Sequence, residues 1–295
     1  MNKISFVNLA GLLRPHQWIK NTFVFAGLFF AHAWSNIALV ESILIAFTAF
    51  CFMSSTVYIY NDIIDFPHDR LHPVKKHRPL ASQKISTQTA MIILILCFLL
   101  SLSLGLIISY KMTIIILSYF CLNIIYTHYL KHIVILDVFS ISAGFMLRIL
   151  AGTIGVNIPP SPWLMFCGLM ITLFLGFTKR RAEGMTLQET DFLSRKVLKE
   201  YNTVFLDKMI GITASCSIMG YGIYTLSPET IRIHHTADLI YTLPFVIYGI
   251  FRYLYLLHQK TSDKNGEDTS KDILTDKSLM VTTLLWVFVT LWMIS

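Results

Sequence analysis

The chain has 295 residues, 55% of them hydrophobic and only 14% charged, with a mean hydropathy of +0.61 and a formal net charge of +7. Soluble domains carry roughly 25% charged residues, so this composition excludes a water-soluble globular enzyme and indicates an integral membrane protein. The five cysteines, Cys51, Cys97, Cys121, Cys167 and Cys216, lie in apolar stretches without short paired spacing, which excludes a disulfide framework or a cysteine metal site.

In chain order, apolar stretches long enough to cross a hydrocarbon core of about 30 Å fall at 21–35, 37–60, 88–109, 112–130, 133–155, 162–178, 207–227, 236–257 and 278–294. These predict nine transmembrane helices. No cleavable signal is expected, because the first apolar run follows a polar, basic start without a small-residue cleavage site. With the N-terminus inside, nearly all the basic residues fall on the cytoplasmic side, leaving Lys111 and Arg232 outside and Arg148 within a span. That division follows the positive-inside bias, which also accounts for much of the net charge. One membrane domain over 1–295 is expected, with cytoplasmic loops at about 61–87, 179–206 and 258–277. In the second loop, Thr186 and Glu189 have capping-box spacing and predict a short helix toward Lys199. The outer loops are short and nearly uncharged, so chemistry is expected at the cytoplasmic face.

The first of those loops begins NDIIDFPHDRLHPVKKHRPL, residues 61 to 80. On a helix, Asn61, Asp65 and Asp69 would form one stripe with Asp62 beside Asp65. Like charges so placed repel unless a cation sits among them, and hard oxygen ligands suit magnesium, which takes a few carboxylates plus phosphate oxygens and water. Arg70, Lys75, Lys76 and Arg78 would then face the anion that the metal brings. Pro67 cannot continue a regular helix without losing a hydrogen bond, which predicts that Asp69 is displaced from the stripe. A bland alternative makes this a solvated loop whose acids cap a helix and whose bases obey topology. Four metal-type side chains on one stripe, followed at once by four bases, argue against it.

Further along, Asn123, Tyr126 and Lys131 at the inner end of the fourth span are candidates for phosphate oxygens, with interfacial packing the alternative for Tyr126. Arg148 lies mid-span, where an ionised group is costly and normally faces a wet interior; it follows Asp137 by almost three helical turns, on the same face. A buried structural contact is the alternative for Arg148. Lys179, Arg180 and Arg181 end the sixth span and Glu183 follows, with snorkelling as the alternative for the bases. Asp268, Asp272 and Asp276 are four apart, forming either a second acidic face or a cap of the last span. Near the N-terminus, Arg14, Trp18 and Lys20 fit an interfacial helix.

The pattern N-D-x-x-D-x-x-x-D after the second span resembles the first aspartate motif of the UbiA prenyltransferase superfamily. RPHQWIKN at 14–21, DRLHPVKKHRPLAS, the run YTHYLKHIVILDVFSISAGFMLRILAG at 126–152 and TKRRAE at 178–183 resemble its decaprenyl-phosphate phosphoribosyltransferase branch. The resemblance implies an all-α, multi-pass bundle of nine transmembrane helices around a central cavity. It implies a Mg2+-dependent enzyme of the cell envelope, transferring 5-phosphoribose from 5-phosphoribosyl 1-diphosphate to a polyprenyl phosphate. Asn61, Asp62, Asp65 and Asp69 would hold the metal, with Asp62, Asp65, Asp69 and Glu183 catalytic. Lys20, Asn21, Asn61, Arg70, Lys75, Lys76, Arg78, Tyr126, Lys131, Asp137, Arg148, Lys179 and Arg180 would bind substrate. The superfamily's usual second Asp-x-x-x-Asp is absent from the loop after TKRRAE, and the resemblance implies Glu183 as its counterpart. The alternatives are prenyl transfer from a diphosphate to an aromatic acceptor, and a membrane transporter. A bacterial inner membrane is the expected location, no nucleic-acid partner is expected, and a homo-oligomer is compatible with the sequence.

Overall fold

The computed structural model of the protein describes residues 5–71, 75–187, 200–259 and 276–294. The stretch expected to form a short helix toward Lys199, and Asp268 and Asp272, lie outside the described residues. Every regular element among the described residues is helical. The α-helices are α1 (Phe6–Leu13), α2 (Ala26–Phe30), α3 (Ile37–Asp69), α4 (Thr87–Ile108), α5 (Tyr110–His128), α6 (Leu136–Ala151), α7 (Pro162–Leu187), α8 (Thr203–Leu226), α9 (Pro228–His234), α10 (Leu243–Gln259) and α11 (Lys277–Ile294). Eight helical stretches among the described residues are long and apolar enough to cross a membrane, from Ile37–Asp69 to Lys277–Ile294.

The first expected span, 21–35, is not one of the eight. It is built as an 11-residue 3-10 segment, Pro15–Phe25, followed by the five residues of α2. The segment nevertheless runs the length of α3 in the opposite direction. Arg14 pairs with Asp62, Trp18 with Ser55, Asn21 with Ser54 and Cys51, and the Phe25 ring lies 5.3 Å from that of Phe47. A 3-10 helix rises about 2.0 Å per residue, so the segment covers about 22 Å, matching the rise of α3 from Phe47 to Asp62 at about 1.5 Å per residue. Adding α2 gives about 30 Å, the thickness of a hydrocarbon core. The first expected span is thus a stretch of that length built mainly as a polar-rich 3-10 segment in place of an α-helix.

The chain divides into two compact units, Met1–Leu130 with Ala143–Ser161, and Lys131–Ser142 with Pro162–Ser295; α6 contributes to both. In the first unit, Ile43, Ala46, Phe50, Met53 and Val57 form one buried stripe of α3 that packs with Met112, Ile115, Ile116 and Tyr119 of α5. The Ser101 hydroxyl donates to the Ala49 carbonyl at 2.8 Å, so α4 meets α3 closely. The 3-10 segment touches the end of α6 backbone to backbone. A Cβ on Gly152 would stand 1.7 Å from the Val24 carbonyl oxygen, and one on Gly27 would stand 2.1 Å from the Gly152 oxygen. Only glycine permits that approach. Gly152→Ala is expected to destabilise the protein by about 1–3 kcal/mol, as overpacking does. A thermal scan of the purified variant in detergent checks this, and an unshifted midpoint would contradict the contact.

The second unit is built around Val138, Phe174, Phe177, Ile210, Ala214, Tyr253 and Leu257, all buried. Asp276 caps α11 by accepting from the Leu279 N–H at 2.8 Å and is gripped by Arg252 at 2.7 and 3.2 Å. The capping alternative for Asp276 is thus the observed one. The Arg252 hydrogen bonds, with that N–H, hold its carboxyl below the usual carboxylate range.

Candidate active site

At 33 residues, α3 is about 50 Å long. It is thus longer than a hydrocarbon core of about 30 Å, and its final turns, Asn61 to Asp69, carry the acids. Pro67 does not displace Asp69: the helix runs through it, because in the last turn a missing N–H forfeits one ladder bond. Asp62 and Asp69, two turns apart, are both buried and both meet Arg78, whose Nη1 lies 3.2 Å from Asp62 Oδ1 and 2.6 Å from Asp69 Oδ2. Arg14 completes the group, with Nη2 2.5 Å from Asp62 Oδ1. Arg78, expected to face a phosphate, thus bridges two carboxylates. Arg14 is a partner that span-by-span reading did not place in the site; its signal was the RPHQWIKN stretch.

The backbone makes this grouping possible. Arg14 adopts φ 53°, the left-handed turn that ends α1 and starts the 3-10 segment. Its guanidinium lies 5.2 Å from the Tyr58 ring centre. Asn61 is held by α5, where the Thr127 hydroxyl donates to its Oδ1 at 2.8 Å, and Tyr60 beside it bonds His128 at 2.9 Å. Thr127 and His128 were not singled out in the sequence. Asp65 and Tyr126 are half-buried, Lys20 meets Gln17 at 2.5 Å, and Arg70 is exposed over the Phe66 ring. On the short 3-10 turn Lys75–His77, Lys75 is half-buried and Lys76 exposed.

Asn21 and Arg148 meet in the first unit. Both are enclosed, and they bond each other: Arg148 Nε donates to Asn21 Oδ1 at 2.7 Å, Nη1 to the Gly144 carbonyl at 2.7 Å and Nη2 to the Tyr119 hydroxyl at 2.9 Å. The guanidinium also lies 4.7 Å from the Tyr119 ring centre and 5.3 Å from that of Phe145. Among the described residues no carboxylate pairs with it. Its partners are neutral acceptors and aromatic faces, so it serves as a clamp on the 3-10 segment, with 5% of its surface exposed.

In the second unit, Asp137 and Arg180 are 0% exposed and face each other, Arg180 Nε standing 2.5 Å from Asp137 Oδ2. Asp137 Oδ1 accepts from the Tyr201 hydroxyl at 2.5 Å and the Val138 N–H at 2.8 Å. Both side chains are thus enclosed and paired with each other. Arg180 also bonds Glu183, which, like the neighbouring Lys179 at 3.8 Å from it, is partly exposed. Arg181 takes Asp207 at 2.9 Å. Lys131 is half-buried on a separate short turn, Leu130–His132. Burial, together with the hydrogen bond donated to Asp137, pushes the Tyr201 phenol above its ordinary value.

Whether the acids fit a metal turns on the donor set. Among the described residues no three His, Cys, Asp or Glu side chains gather as a ready cluster. Magnesium does not require one, because one or two carboxylates with substrate phosphates suffice. Asp62 Oδ2 is buried with no hydrogen-bond partner, an unsatisfied hard oxygen beside Asn61 in sequence. The residues therefore fit a hard divalent cation.

The profile of the UbiA prenyltransferase family matches residues 21–269. The chain belongs to the UbiA prenyltransferase family. The UbiA profile begins within the 3-10 segment, at Asn21, and takes in the α3 acids and the α7 bases. The chain is 31% identical to a decaprenyl-phosphate phosphoribosyltransferase of Corynebacterium glutamicum, covering 94% of this chain and 83% of that one. To the protein of the same name from Mycolicibacterium smegmatis it is 28% identical, over 93% and 88% of the two chains. Its fold matches a UbiA homolog of Archaeoglobus fulgidus, solved bound to GPP and Mg2+, with a TM-score of 0.73, 17% identity and coverage of 97% and 99%. This protein is a membrane-embedded UbiA-family transferase.

Proposed function

We propose that the protein transfers 5-phosphoribose from 5-phosphoribosyl 1-diphosphate to a polyprenyl phosphate and releases diphosphate, in a bacterial inner membrane with the site facing the cytoplasm. The observation that carries this reading is the likeness, along nearly the whole chain, to two proteins named for that activity.

A phosphate oxygen of the lipid attacks the anomeric carbon, and the bond from that carbon to the diphosphate oxygen breaks with its electron pair leaving on diphosphate. The attacking group is already anionic, so no strong general base is needed. The charge to be stabilised grows on the leaving group, where fixed cations lower the barrier most. Arg14 and Arg78 stand beside the acids of α3; Arg70, Lys75 and Lys76 follow those acids in the chain, and Lys20 lies on the 3-10 segment that packs along α3, all with exposed or half-buried side chains. Asp62, Asp65 and Asp69 with Asn61 would hold magnesium, which when bound supplies charge neutralisation on the diphosphate. Tyr126, Lys131 and Lys179 are assigned to phosphate oxygens, and Glu183 to the role of the family's second acidic motif. Within the first unit Asn21 and Arg148 hold the 3-10 segment, and within the second Asp137 and Arg180 hold Glu183.

The route is tested by the position of the bond that breaks. Polyprenyl phosphate labelled with 18O in its terminal oxygens should carry the label whole into the lipid product, leaving the released diphosphate unlabelled by mass spectrometry. Label in the diphosphate, or phosphate released from the lipid, would overturn it.

A further inference from the structure

Ile135, in the turn that leads into α6, has φ 71°. The left-handed region is rare for any residue with a Cβ and a true outlier for a β-branched one. Such a conformation persists only where its surroundings impose it. The Ile135 side chain, 40% exposed, is not what imposes it. Its N–H, however, donates to the Tyr201 hydroxyl at 2.7 Å, and that hydroxyl donates onward to Asp137 Oδ1 at 2.5 Å. One phenol thus closes the turn by its lone pair and fixes the first-turn acid of α6 by its proton. The ion chain continues from Asp137 to Arg180 and from Arg180 to Glu183.

We propose that Tyr201 is a positioning residue, holding the strained Ile135 turn and Asp137 in place so that Arg180 sets the position of Glu183 for phosphoribosyl transfer. The inference rests on the function proposed above. Tyr201 is far from the acid in sequence and belongs to no charged motif, so nothing but the fold reveals it. A phenol suits the task because it accepts and donates through one atom and, with its ionisation pushed upward by burial and by Asp137, keeps its proton at neutral pH.

The experiment uses the full-length protein in detergent with both substrates. Tyr201→Phe keeps the ring and removes both hydrogen bonds, and it should lower kcat about 10- to 100-fold, the scale of a small misplacement of a reacting group. KM for both substrates should change little. Adding Ile135→Gly to that variant should recover most of the loss, because glycine holds the turn without strain. A rise in KM, or no recovery with glycine, would make Tyr201 a substrate contact or a plain packing residue and overturn the proposal. If the wild-type protein turns over no phosphoribosyl donor, the functional reading fails on its own. The melting temperatures of Tyr201→Phe, Asp137→Asn and the double variant then decide the geometric claim. A double variant no less stable than the worse single one shows the coupling, whereas additive losses overturn it.

Discussion

Asp62→Asn is expected to lower kcat about 10²- to 10³-fold, the usual cost of removing one preorganised electrostatic group, and to raise the magnesium concentration needed for half-maximal rate. The substitution keeps the shape of the side chain. It removes the negative charge that sits between Arg14 and Arg78 and the buried oxygen that has no hydrogen-bond partner. The structural cost is smaller than for a fully buried pair, since Arg14 and Arg78 are 18% and 29% exposed and water takes up part of their charge. A modest fall in melting temperature with a collapse of turnover is therefore the expected pairing. Steady-state rates across a magnesium titration provide the check, and unchanged rates with an unchanged magnesium response would remove Asp62 from the chemistry.

Arg148→Met is the second large effect, and here two terms oppose each other. Taking an ionised group out of a span relieves about 2.5–3.5 kcal/mol. Losing three hydrogen bonds from a charged donor costs about 1.5–3 kcal/mol apiece. The loss wins by about 1–6 kcal/mol, so the variant should melt several degrees lower and lose activity, because the 3-10 segment that carries Arg14 and Lys20 loses its tie to α6 through Asn21. Arg148→Lys separates the clamp from a simple charge. An ammonium cannot meet three acceptors in the fixed directions of a guanidinium. Lysine should therefore restore little of the stability or activity. Recovery by lysine would show that charge alone matters and return Arg148 to direct substrate binding.

Much of the fold was legible because hydropathy is a local property. The span read at 37–60 appears as α3, that at 88–109 as α4 and that at 278–294 as α11, each with shifted ends. The ends shifted because hydropathy stops at the first charge, while the backbone ladder continues until a turn interrupts it. Hence α3 runs on to Asp69 and α7 to Leu187. The first expected span was found by its apolar character but mistaken in kind, since nothing local in PHQWIKNTFVF announces that Gly27 and Gly152 will bring two backbones together.

The acids of α3 and the bases after them were legible as a cluster; their pairing was not. Arg14 meets Asp62 across 48 residues, Arg148 meets Asn21 across 127 and Tyr201 meets Asp137 across 64. Such partners are chosen by how helices cross, which no spacing rule within a segment encodes. The same limit applies to Asn21, Arg148, Asp137 and Arg180, whose partners within the protein no single segment announces. Charge and membrane depth mark a polar residue as costly, and only the neighbours reveal whether its partner is a ligand or the protein itself.

The most direct measurement of the central claim is turnover of the purified, detergent-solubilised protein with magnesium, comparing two labelled donors. One is 5-phosphoribosyl 1-diphosphate with a polyprenyl phosphate, the other a prenyl diphosphate with an aromatic acceptor. The account predicts lipid-extractable label from the first donor, dependent on the polyprenyl phosphate and lost in Asp62→Asn. Label moving only from the second donor would contradict phosphoribosyl transfer and assign the protein to aromatic prenylation within the same family.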